Sequence, residues 1–167
     1  RDVPRTWIEN KAVTATLTHR FSDRVEANVA VNRTITSFHE WSSFPYGRIG
    51  GTAYNFGTAY LPSDSKKTFA TASLTARIGD GPVRQTLLVG ADYDSTRYFG
   101  AMYFDVAWDS IDYANPLPPK PFVLPPFFFD QNDRLKSFAL FAQDQIAIGE
   151  RLDLTLGLRW TRLKVVS

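Results

Sequence analysis

Few side chains in this sequence have the types and spacing that chemistry requires. Asp92 and Asp94 lie two apart in a segment that alternates, so they share a face, an arrangement suited to general acid and base work or to holding a cation. Such a pair is more often a solvated lumen face. Asp130-Gln131-Asn132-Asp133 supplies oxygen ligands without the remainder of a calcium-loop pattern, which favours a polar loop. His19 and His39 lack a metal-ligand spacing, and neither Gly-x-Ser-x-Gly nor His-Glu-x-x-His occurs. With no Cys there is no thiolate centre. Catalysis is therefore not expected.

Aromatic residues are the better candidates. Thirteen Phe, seven Tyr and four Trp make up 14% of the chain, and many fall in two groups. The first is Phe38, Trp41, Phe44 and Tyr46; the second is Tyr98, Phe99, Tyr103, Phe104, Trp108 and Tyr113, with Arg48 and Arg97 nearby. Rings with a polar tip suit binding surfaces and membrane interfaces alike.

The elements that position these rings read as strands. Val13, Ala15, Leu17 and Phe21 alternate with Thr14, Thr16, Thr18 and Arg20; after Ser22-Asp23-Arg24, the series Val25, Ala27, Val29, Val31 alternates with Glu26, Asn28 and Asn32. Alternation returns with Ala70, Ala72, Leu74, Ala76 and Ile78, turns at Gly79-Asp80-Gly81-Pro82, and continues through Val83, Leu87, Val89, Ala91 and Tyr93. A third hairpin joins Phe138, Leu140 and Ala142 to Leu152, Leu154, Leu156, Leu158 and Trp160 through Gly149-Glu150-Arg151. Ser42 to Ser65, with its Gly and Pro, and Gly100 to Asp133, which holds six of the ten prolines between Pro116 and Pro126, read as long loops. Three hairpins with short turns at one end and long loops at the other predict an all-β, antiparallel transmembrane barrel segment of about six strands. A soluble β-sandwich shows similar alternation.

Charge and hydropathy narrow the function. The formal net charge of +2 comes from interspersed residues, with no basic block to follow a phosphate backbone, so nucleic acid is not an expected partner. No run of about 18 apolar residues exists for a spanning helix, and Arg1-Asp2-Val3-Pro4 lacks the build of a signal peptide.

Gly81-Pro82-Val83-Arg84-Gln85-Thr86-Leu87-Leu88-Val89-Gly90-Ala91-Asp92-Tyr93 closely resembles a barrel segment of TonB-dependent, ferric-siderophore receptors of the ferrichrome type. Ser137 to Gln145, ending in Gln143-Asp144-Gln145, and Leu152 to Trp160, with Leu156-Gly157-Leu158-Arg159, resemble the strands that follow in that family, and Asn115-Pro116 resembles its loop. Arg159-Trp160-Thr161 departs from the family's Arg-Tyr-Asp, and Leu117 to Phe129 is unusually rich in Pro and Phe.

The resemblance implies a plugged barrel of about 22 strands. Residues 1–167 would form part of its barrel domain, with the plug and the other strands outside this chain. It further implies uptake of a ferric siderophore as transported ligand, with no cofactor, energised by the TonB complex through the plug, in a bacterial outer membrane whose lipid surrounds the wall. Trp41, Tyr46, Arg97, Tyr98, Tyr103, Phe104, Trp108 and Tyr113 are the ligand candidates it suggests. Phe38, Tyr93 and Trp160 are expected in an interfacial girdle instead, while Tyr103 and Trp108 suit either the ligand or loop packing. A passive porin or structural barrel, and a soluble β-sandwich binding module, are the alternatives.

Overall fold

The structure, a computed structural model, describes residues 5–116 and 120–167. Leu117 to Pro119 of the Pro-rich connection lie outside the described residues, as does the segment Arg1 to Pro4. Six strands follow one another: β1 (Trp7–Ser22), β2 (Val25–Gly50), β3 (Ala53–Ile78), β4 (Val83–Asp112), β5 (Phe127–Ile148) and β6 (Leu152–Val166). They form one sheet in the order β1-β2-β3-β4-β5-β6. Neighbours joined by such short turns must run antiparallel, because a parallel pair needs a long crossover. The register of β5 against β6 is unbroken from Arg134↔Val166 to Ile148↔Leu152.

The strands are shared between two compact units. One contains residues 11–34, 66–97 and 133–167. Its turns are chemically specified. Ser22 Oγ accepts the N–H groups of Arg24 and Val25, both at 3.2 Å, and Gly79 and Gly149 take φ of 85° and 62°, which a side chain would resist. Arg24 is ion-paired with Asp80, and the Gly149 N–H donates to the Pro82 carbonyl at 2.6 Å. The three short turns therefore share one end, as the sequence predicts.

The two sides of this unit differ in chemistry. On one, Asn28 and Asn32 donate to Thr18 and Thr14 at 2.8 and 2.7 Å, Lys67 pairs with Asp94 at 3.0 Å, and Arg159 pairs with Asp92 at 2.7 Å. Phe141 packs over Gly90, where an added Cβ would also stand 2.6 Å from the Ala72 carbonyl oxygen. The other side carries Val13, Leu17 and Leu158, which are 72%, 68% and 78% exposed. Among the described residues no second layer covers them. On that side Gln85 donates to Asp144, whose second oxygen is buried without a hydrogen bond among the described residues.

The other unit, residues 1–10, 35–65 and 98–132, corrects the loop assignments. Ser42 to Ser65 is a hairpin, with β2 and β3 continuing to a two-residue turn at Gly51-Thr52, where Gly51 has φ of 55°. β4 likewise runs on to Asp112, so Tyr103, Phe104 and Trp108 are strand residues, and β5 already begins at Phe127. Pro45, Pro62 and the glycines interrupt the alternation of types without ending the strands. Tyr113 N–H donates to Thr52 O at 3.1 Å, which holds the second connection beside the first turn.

Candidate functional site

Alternation along the strands separates the rings of this unit into two sets. His39 and Trp41 occupy odd positions of β2, and Phe38, Phe44 and Tyr46 the even ones. Tyr103 is odd on β4, where Tyr98, Phe104 and Trp108 are even. Successive strand residues point to opposite faces, and the cross-strand contacts follow this division.

The first set is a continuous row. Trp7 stacks on His39 at 4.2 Å, the His39 Nδ1 is hydrogen-bonded to the Tyr60 hydroxyl, and Trp41 stacks on Tyr60 at 4.4 Å. Tyr60 reaches Tyr103 at 5.8 Å and Tyr103 reaches Phe127 at 5.7 Å. Five strands thus contribute to one line of rings with polar tips. A line of rings with polar tips suits an interfacial belt.

The second set is a cluster beside a cleft. Phe44 stacks on Phe104 at 5.7 Å with 14° between planes, and Tyr46 and Phe128 meet Phe104 at 6.4 and 6.2 Å. Gly57 makes room for it: a Cβ there would stand 2.9 Å from both Phe44 and the Asp105 carbonyl oxygen. An open cleft of about 240 Å³ is lined on this side by Phe38, Leu61, Tyr98, Met102, Phe129 and Gln131. Apolar walls with a few amide and phenol groups suit a compact ligand bearing both character types.

The structure therefore brings Tyr46 and Phe104 together, with Tyr98 on the cleft, and places Trp41 and Tyr103 in the row. Phe38, expected in a girdle, lines the cleft. Tyr93 and Trp160 remain on the apolar series, Trp160 facing Leu140 across the ladder. Arg97 is odd on β4, opposite in sense to Tyr98, and is not a cleft residue. Arg48 donates to its own turn at Gly51 O, 2.9 Å from Nε. Asp92 and Asp94 are each engaged by a cation, which leaves neither as an unpaired acid or base. Asp130 to Asp133 lie on β5 rather than in a loop, and among the described residues no group of His, Cys, Asp and Glu is placed to hold a metal. The row residues Trp7, Tyr60 and Phe127, which sequence reasoning passed over, and His39, weighed there only as a metal ligand, are linked only by cross-strand register.

Trp108 and Tyr113 hold the Pro-rich connection. Trp108 Nε1 donates to Pro121 O at 3.3 Å and its ring stacks on Phe122 at 4.6 Å. Tyr113 packs edge-on against Tyr54 at 5.5 Å. Asp109 completes the clamp by accepting the N–H groups of Lys120 and Ser110, both at 2.8 Å, with Lys120 Nζ at 3.5 Å. The Lys120 backbone bond first, then the Ser110 bond and the Lys120 charge, hold its carboxyl below the usual range against a desolvation that pushes it up. A folded value below the unfolded one stabilises above the unfolded value and is lost as pH falls through the folded one. Protection of the Lys120 amide, measured by hydrogen exchange corrected for intrinsic rate, should therefore hold at neutral pH and be lost only once pH falls below the usual carboxylate range. Asp109→Ala should abolish it at every pH.

The whole chain, residues 1–167, matches the family model described as TonB dependent receptor-like, beta-barrel. No curated protein sequence matches it. Among solved structures it is similar to BauA, the ferric preacinetobactin receptor of Acinetobacter baumannii, with a TM-score of 0.75 and 21% identity over 96% of this chain and 25% of that one. The siderophore receptor PiuA of the same organism gives 0.75 and 18%, covering 96% and 26%. Fiu, the ferric-catecholate import receptor of E. coli K12, gives 0.79 and 12%, covering 96% and 24%. These likenesses concern the fold, and the chain spans about a quarter of each receptor. The matched family consists of outer-membrane receptors and transporters rather than enzymes. A six-stranded antiparallel sheet with an unburied apolar side, matched along its full length, belongs to the TonB-dependent receptor β-barrel family.

Proposed function

We propose that this chain is part of the wall of an outer-membrane receptor that takes up a ferric siderophore, energised through TonB by way of a plug domain, with no chemistry performed on the ligand. The observation that carries this reading is the ring cluster around Phe104 beside the Tyr98 cleft, on the strand positions opposite to the interfacial row. A wall that only passes water and ions has no use for stacked rings on that side, which disfavours the porin. Ferric chelates of this class present both apolar and polar surface, which rings and phenol groups match. The motif resemblance supports the narrower form, a ferrichrome-type ligand, and the neighbours named as siderophore receptors support the broader one.

The test is uptake of iron-labelled ferrichrome by cells whose only such receptor is the full-length parent. Saturable uptake that stops on adding a protonophore, while surface binding persists, is the expected result. Uptake that is unsaturable and indifferent to the protonophore would identify a porin. Energised uptake of another ferric siderophore, with none of ferrichrome, would remove only the narrower form.

A further inference from the structure

We propose that Gly100 is the positioning residue of the cleft in the unit built from residues 1–10, 35–65 and 98–132, and that it sets the size of guest the cleft admits by giving Tyr98 a place to lie. This inference rests on the ligand-site reading above, though not on the identity of the chelate.

Glycine inside a strand is unfavourable for folding and needs a local reason, such as the close approach of another group. Gly100 is buried in the middle of β4. A Cβ there would stand 2.6 Å from the Tyr98 hydroxyl oxygen, 3.0 Å from its Cζ and 3.1 Å from its Cε1. These are the three nearest atoms, and all belong to one side chain. Gly57 and Gly90 differ, because a Cβ at either would also meet a main-chain oxygen of the neighbouring strand, Asp105 O at 2.9 Å and Ala72 O at 2.6 Å. Their small size serves the close approach of strands as well as of rings; that of Gly100 serves Tyr98.

Residues two apart on a strand share a face, so Tyr98 and Gly100 look the same way. The Tyr98 ring runs along its own strand with its hydroxyl end over Gly100. Strand side chains ordinarily stand roughly perpendicular to the sheet; this one lies down because the position two residues on is bare. The cleft of about 240 Å³ opens at this point, with Phe38 and Leu61 of β2 and β3 on one flank and Phe129 and Gln131 of β5 on the other. Tyr98 is 37% exposed, so the reclining ring is the floor and offers its phenol group to a guest. A methyl group at position 100 removes the seat. The nearest atoms it displaces are the far end of a side chain that turns about two torsions, so the strand is spared and the ring stands up into the cleft. The floor then becomes an obstruction, which excludes large guests before small ones.

The full-length parent, freed of other cysteines and carrying Ser63→Cys on the β3 wall of the cleft, is labelled in vesicles with methyl methanethiosulfonate and, separately, with its benzyl counterpart. Both reagents react through the same group, so the ratio of their rates reports the space beside position 63. Gly100→Ala should lower the benzyl-to-methyl ratio by about tenfold, the scale on which a pocket separates guests that differ by small groups. Added to Tyr98→Ala, the same substitution should change the ratio by less than about twofold, as expected when one residue acts through the other. A glycine with a merely structural role would leave the ratio unchanged or would lower it equally in both backgrounds, and either result overturns the proposal. Should Gly100→Ala not give the heat-resistant barrel, Tyr98→Ala alone decides: loss of the floor ring should raise the ratio, and an unchanged or lowered ratio overturns the proposal. Ferrichrome uptake by the same parent is scored separately, so its absence with the labelling pattern intact counts only against the transport reading.

Discussion

Leu158→Arg in the full-length parent is expected to destabilise the barrel by about 2–4 kcal/mol, the cost of a cation on the lipid side near the bilayer midplane. Leu158 lies in the middle of β6, opposite Ala142, with Asp144 only a diagonal neighbour on the ladder. Thr155, on the other side of the same strand, faces Gln145, and Thr155→Arg should cost far less because water or plug residues can solvate it. Leu156→Arg should fall between the two. Leu156 is on the apolar side, but its ladder partner is Asp144, which has an oxygen without a hydrogen bond among the described residues; an arginine there stands directly opposite an acceptor that one at 158 meets only diagonally. Reversible folding into lipid vesicles measures all three. Equal costs for Leu158→Arg and Thr155→Arg would reject the assignment of sides.

The second large effect concerns the ligand. Removing Tyr46, Tyr98 and Phe104 together by alanine should weaken ferric-siderophore binding by tenfold or more, since central aromatic contacts commonly contribute over about 1 kcal/mol each. Removing Trp41, Tyr60 and Tyr103 together should leave affinity nearly intact and lower the yield of heat-resistant barrel instead, because that row is suited to anchoring at the interface. Each set has three rings, so bulk lost is comparable while the side of the sheet differs. Affinity from ligand-induced quenching and the heat-modifiable gel shift are read on the same preparations. If the Trp41 set loses affinity and the Phe104 set does not, the sides have been exchanged.

Strand order and the three short turns were legible because a period of two and residues such as Ser22, Gly79 and Gly149 state themselves locally. The upper ends of β2, β3 and β4 were not. Pro45, Pro62, Gly57 and Gly100 look like loop residues by type, yet Gly57 is there to admit Phe44, a reason visible only once β2 lies beside β3. The same holds for the site. That Trp41 and Tyr46 stand at positions of opposite parity could be read from the sequence, but assigning the meaning of each side required Tyr60 and Phe104 to be seen as their neighbours. Trp108 shows the converse: of the two roles its sequence position left open, ligand contact and loop packing, its contacts with Pro121 and Phe122 of its own connection are those of loop packing.

The central claim is that one side of this sheet faces hydrocarbon and the other a lumen. The chain contains no cysteine, so single cysteines can be placed in turn at Asp153 through Arg159 in a full-length parent freed of any others, and spin-labelled in vesicles. Accessibility to oxygen should peak at 154, 156 and 158 and accessibility to a water-soluble nickel chelate at 153, 155, 157 and 159. Uniform access to the nickel chelate at all seven positions, or an inverted alternation, would contradict the account.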